Sequence, residues 1–136
     1  MYSSCKIAWL ALTCLLLSGS PSPPIEKKKP IVTDLQEITG FYHVRGTIAA
    51  KPYSGIVKIW KIQSVYIVQW VTDTSPVIGV GLRTGSRLAV GWQQKDIVGV
   101  TAYEIGGKTL HGKWVSLPGP GFYLEERLTF LKELEE

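Results

Sequence analysis

Three tryptophans at a fixed interval are the side chains of this chain best suited to chemistry. YIVQW ends at Trp70, LAVGW at Trp92 and LHGKW at Trp114, so an indole recurs every 22 residues. Indoles gathered on one surface give broad, rigid apolar walls with one N–H donor each, which suits a small hydrophobic or ring-shaped ligand. Glu126 is the second candidate. In FYLEERLTF, alternation with a period of two puts Leu124, Glu126 and Leu128 on one face, which points a carboxylate inward with the leucines. Such a group needs hydrogen-bond donors, and Tyr42, Tyr66 or a tryptophan N–H can supply them. It serves either as a ligand-binding carboxylate or as an internal clasp closing the last strand on the first, and the clasp is the simpler expectation. The candidate ligand-binding set is therefore Trp70, Trp92, Trp114, Tyr66 and Glu126, with no catalytic residue and no metal ligand.

Other chemistries find no support. His43 and His111 are the only histidines, both on the predicted outer face, and no carboxylate cluster accompanies them to form a metal site. There is no Gly-x-Ser-x-Gly elbow and no Ser-His-Asp set. Gly79 and Gly81 form a Gly-x-Gly in mid-strand rather than before a helix, so no nucleotide fingerprint is present. Basic residues are scattered, which argues against nucleic acid as a partner. The expectation is a protein that is not an enzyme and carries no cofactor.

The elements that must position these residues are short strands. From Ile38 onward, runs rich in Val, Ile, Tyr, Trp and Thr alternate with Gly, Pro or Ser. Eight runs stand out, at about 39–49, 54–62, 64–72, 76–83, 86–93, 96–105, 108–115 and 122–130. The links between them read KPY, QS, DTS, TG, QK, GG and SLPGPG. Thr84-Gly85 and Gly106-Gly107 are two-residue hairpin signals. No link is long enough for a crossover helix, so neighbours pair antiparallel as a meander. A sheet that long leaves two unpaired edges unless it closes. The predicted fold is all-β, a single eight-stranded antiparallel up-and-down barrel of lipocalin- or avidin-like architecture, with the segment after Phe130 free to turn helical.

In such a meander every second strand runs the same way, so Trp70, Trp92 and Trp114 reach one mouth. The 22-residue interval is one hairpin. Tyr66, Val68 and Trp70 share the inner face, while Gln69, Gly91, Gln93, His111 and Lys113 face out. Trp60 falls outside the period and is expected nearer the opposite end. A barrel of this size has a small interior, and three indoles are expected nearly to fill their end of it.

Ahead of the barrel, residues 1–20 have one basic residue, the apolar run IAWLALTCLLL and small residues after it, the layout of a secretory signal peptide. An uncleaved anchor, or lipidation at Cys14, is the alternative that would bring the chain to a membrane. Residues 21–37 form a linker rich in Pro and Lys, residues 38–131 the barrel domain, and residues 132–136 an acidic tail. Both cysteines, Cys5 and Cys14, lie in the signal segment, so the exported domain has no disulfide, which suits a bacterial periplasm, cell envelope or extracellular setting. The formal charge is +4, and between Ile38 and Phe130 ten Lys/Arg stand against five Asp/Glu. That balance admits an anionic surface as partner, although solvated outer-face charge is the simpler expectation.

The succession GFYHVRGT, YSGIVKI, YIVQW, GVGL, LAVGW, GVTAYEI, LHGKW and a Glu before Leu resembles small exported bacterial proteins often labelled fibronectin-binding. The resemblance spans about Gly40 to Leu128 and implies the barrel. Two functions follow as expectations. The first is a binding or interaction module of the envelope that meets an extracellular macromolecule through its outer face. The second is a carrier of a small apolar ligand at the tryptophan mouth, and a cavity beside the three indoles would favour it.

Overall fold

A computed structural model describes residues 35–135. The signal segment, both cysteines and nearly all of the Pro/Lys-rich linker lie outside the described residues. Eight strands follow in order: β1 (Gly40–Ile48), β2 (Lys51–Ile62), β3 (Val65–Thr72), β4 (Val77–Thr84), β5 (Arg87–Gln94), β6 (Ile97–Gly106), β7 (Thr109–Leu117) and β8 (Leu124–Lys132). Each pairs antiparallel with its neighbours, and β8 returns to β1 to close the barrel. Closure removes the two free edges that an open meander would present. At the seam between β1 and β8 the register slips between Phe41 and Tyr42.

The chain after Phe130 does not turn helical. β8 continues to Lys132, because Lys132 pairs with Phe41 across the seam. The turns also sit later than expected. Gly85–Ser86, Lys95–Asp96 and Gly107–Lys108 make three of the bends, each one residue beyond the predicted pair. The first hairpin departs most. Ala49 and Ala50 turn the chain at φ of 49° and 63°, and β2 already begins at Lys51. Two left-handed residues in succession match the twist of the flanking strands, but alanine seldom adopts that conformation. The KPY segment is therefore strand, with Pro52 opposite Thr47 and Tyr53 opposite Gly46.

Alternation delivers Val44, Val57, Ile59, Val68, Leu88, Val90, Leu110 and Leu128 to the interior, where all are fully buried. Each such side chain contributes about 1.5–3 kcal/mol relative to exposure. The end where β1, β3, β5 and β7 begin is closed. Ile38, just before β1, is buried, and its carbonyl accepts the Tyr42 hydroxyl at 2.9 Å. Arg83 donates to the Gln36 carbonyl at 2.6 Å, and Tyr42 meets Phe130 edge to face at 5.5 Å. Trp60 is half-buried in the outer wall, with the Lys58 ammonium 5.3 Å from its ring. His111 is exposed and His43 half-buried, each at an outward position of its strand.

Candidate functional site

The odd-numbered strands end together at the open mouth, and there the structure brings together Trp70, Trp92, Trp114 and Glu126 as the 22-residue period and the alternation of β8 require. Trp70 is buried, whereas Trp92 and Trp114 are half-buried and meet edge to face, 6.0 Å apart at 67°. They border a cavity of about 160 Å³, completed by Tyr53, Thr101 and the loop that carries Asp73.

Glu126 forms the floor of this cavity and is 7% exposed. Tyr53 donates its hydroxyl to Oε2 at 2.6 Å, Trp70 donates Nε1 to Oε1 at 3.1 Å, and the Tyr103 hydroxyl also donates to Oε1. Trp70 Nε1 is shared with the Tyr103 hydroxyl oxygen at 3.2 Å. Three neutral donors converging on one acceptor give a buried carboxylate the bonds it lost from water. Glu126 is bonded inside the barrel as expected, but Tyr53, Trp70 and Tyr103 tie it to β2, β3 and β6 and not to β1, so it does not close the last strand on the first. Tyr42 takes no part in it, since its hydroxyl is committed to Ile38 at the other end.

Burial first, and then the Glu126 charge and its hydrogen bonds, push the Tyr53 and Tyr103 phenols far above the ordinary tyrosine range. Both therefore remain protonated donors. Trp92 Nε1 donates to Thr101 Oγ1 at 3.0 Å. Trp114 Nε1 is buried and has no hydrogen-bond partner among the described residues. It lies close enough to the Tyr53 hydroxyl to oppose that phenol's upward shift, although the geometry falls short of a hydrogen bond.

Trp92 does not fill the mouth as expected, and glycine is the physical reason. Trp92 pairs across strands with Gly99, and a Cβ at Gly99 would fall inside the Trp92 ring. Tyr103 pairs with Gly112, where a Cβ would lie 2.6 Å from Tyr103 Cε1. Each ring lies against bare backbone of the next strand, so the aromatics line the wall instead of crossing the lumen.

Tyr66 belongs to the core but does not border the cavity. It lies four residues before Trp70 on β3, roughly 13 Å nearer the closed end at the usual strand rise. Sequence reasoning missed Tyr53, hidden in a segment read as a loop, and Tyr103 with Thr101. The last two were legible as inward positions of β6, which alternates Gly99, Thr101, Tyr103. Among the described residues no group of three His, Cys, Asp or Glu gathers to hold a metal, and no helix is long and apolar enough to cross a membrane.

No family model and no curated protein matches the chain in sequence, so the resemblance to fibronectin-binding proteins rests on its strand pattern alone. Among solved structures, the chain is similar to a secretory abundant heat soluble (SAHS) protein from Ramazzottius varieornatus. The two are 11% identical with a TM-score of 0.45, over 68% of this chain and 94% of that one.

Proposed function

We propose that this chain is an exported, non-catalytic binding protein that takes one compact, largely apolar ligand into the tryptophan-lined mouth of its barrel. Both expectations from the sequence describe a binding protein, and the cavity favours the small-ligand carrier over the envelope interaction module. The observation that carries this reading is the open space of about 160 Å³ beside Trp70, Trp92 and Trp114. An apolar cavity of about 150 Å³ is enough to hold a benzene molecule, so the ligand is the size of a single ring or a short branched chain. Export rests on the signal-like residues 1–20.

The test is a titration of the full chain with phenol, benzyl alcohol and indole-free ring compounds of similar size, followed by tryptophan fluorescence. Saturable quenching is expected, weakened about tenfold or more in Trp92→Phe, since a lost aromatic contact in a dry pocket is worth about 1.4 kcal/mol. Binding that is indifferent to Trp92→Phe would move the site away from the mouth.

The interaction-module reading retains one supporting observation on the outer wall. Ile78, Val80 and Leu82 on β4, Val98 and Val100 on β6, and Val115 and Leu117 on β7 are all exposed. A continuous apolar wall of this kind suits contact with an apolar surface of an extracellular protein. Val80→Lys should abolish such a contact, measured by pull-down against matrix proteins, without altering the mouth titration.

A further inference from the structure

The mouth is built to discriminate by charge as well as by size. The chain carries a formal charge of +4, yet the cavity lining holds two acids and no lysine or arginine. Glu126 sits at the floor, held only by neutral donors. Asp73 sits exposed at the rim. A desolvated carboxylate without a cationic partner leaves an uncompensated negative potential in the space above it.

The aromatic rings tell the same story by contrast. Elsewhere lysines lie over rings in six places, reaching Phe41 twice and Trp60, Tyr66, Phe130 and Tyr123 once each, at 4.7–5.8 Å. Among the described residues no lysine or arginine lies over Tyr53, Trp70, Trp92 or Trp114. The electron-rich faces that the protein covers with its own cations elsewhere are left free of them in the mouth. Aromatic walls around a carboxylate are the recognised means of holding an alkylated ammonium.

We infer that the ligand is a small alkylammonium cation, its ammonium between the indoles and Glu126. This rests on the ligand-binding reading of the mouth given above. The same trimethylammonium chemistry occurs in free solutes and in phosphatidylcholine headgroups.

The experiment compares choline with its neutral carbon isostere, 3,3-dimethylbutan-1-ol, by fluorescence and calorimetry on the full chain. Choline should bind about tenfold or more tightly than the isostere, the advantage expected of a desolvated cation–aromatic contact. The ratio should fall severalfold in Asp73→Asn and approach unity in Glu126→Gln. Because Asp73 is exposed, its variant keeps the test independent of any folding defect in Glu126→Gln. If the isostere binds as tightly as choline, or ring compounds bind and choline does not, charge selection is overturned while the apolar pocket stands. If choline, isostere and rings all fail to bind, both readings fall. Sedimentation with phosphatidylcholine but not phosphatidylglycerol vesicles would assign the headgroup as the source, and response to choline alone would assign a free solute.

Discussion

At its closed end the barrel buries Ile59, Leu88, Leu110 and Leu128 completely beneath Ile38, whereas at its open end inward positions carry Tyr53, Trp92, Trp114 and Glu126 around a cavity. The two ends share strands, direction and alternation. They differ in how side chains use the lumen. Branched aliphatic residues project into the centre and meet one another, which fills a narrow barrel. Aromatic residues opposite glycine lie back against the wall, so adding larger side chains leaves more space rather than less. The polar groups follow the same division. At the closed end the Tyr42 hydroxyl goes to a backbone carbonyl, while the mouth gathers two phenols and an indole on a single carboxylate.

This comparison can be broken most forcefully at the closed end. Leu110→Ala should cost about 2–5 kcal/mol of stability, the usual range for a buried leucine truncated in a packed core, read by chemical denaturation. Fluorescence titration of the mouth should be unchanged below the unfolding transition. A parallel loss of ligand response would show that the two ends are one mechanical unit. Gly99→Ala addresses the other end and should cost less, about 1–3 kcal/mol as overpacking. Its Cβ must displace the Trp92 ring into the lumen, so near-ultraviolet circular dichroism should change and the ring compounds should lose most of their affinity. An unaltered Trp92 signal would remove glycine as the reason for the cavity.

The smallest effect is confined to alkaline pH. Burial chiefly, with Glu37 beside it, pushes the Tyr42 phenol up to about 12. A native pKa above the unfolded value of about 10 means the folded chain holds its proton longer, so this contribution is intact below pH 10 and declines between about 10 and 12. The Tyr53 and Tyr103 phenols, also raised, extend the decline further. Phenolate absorbance should therefore lag behind that of the unfolded chain. In Glu126→Gln the lag should shrink for Tyr53 and Tyr103 and persist for Tyr42, whose charged neighbours are Glu37 and Arg83. No change at Tyr53 and Tyr103 would mean that burial alone governs both ends.

Much of this was legible from residue order. Eight apolar-alternating runs, links too short for helices and the 22-residue tryptophan period led to a closed meander with three indoles at one mouth. The inward direction of Glu126 followed from FYLEERLTF. The cavity did not follow, and the hairpin turns explain why. A turn at Gln94-Lys95 would pair Trp92 with Ile97, but the observed turn one residue later pairs it with Gly99. A turn at Gly106-Gly107 would likewise set Tyr103 against Leu110 in place of Gly112. Moving a turn by one residue changes cross-strand partners by two and leaves inward and outward faces untouched. Orientation therefore survived the error while the partners did not. Tyr53 was lost for a related reason, since two alanines at positive φ carry none of the usual signals of a turn.

What this sequence determines by itself is which side of the wall each residue faces, because alternation is a local property of an extended chain and needs no knowledge of its neighbours. It also determines that the tryptophans converge, because hairpin length sets strand direction. Only the tertiary structure decides which residue stands opposite each aromatic ring, and so whether that ring fills the lumen or lies against the wall. Register depends on turns whose left-handed residues include Ala49, Ala50, Gln63 and Lys95, none of them a residue that announces such a turn. The three donors on Glu126 arise at the same level, from strands far apart in sequence that meet only when the barrel closes.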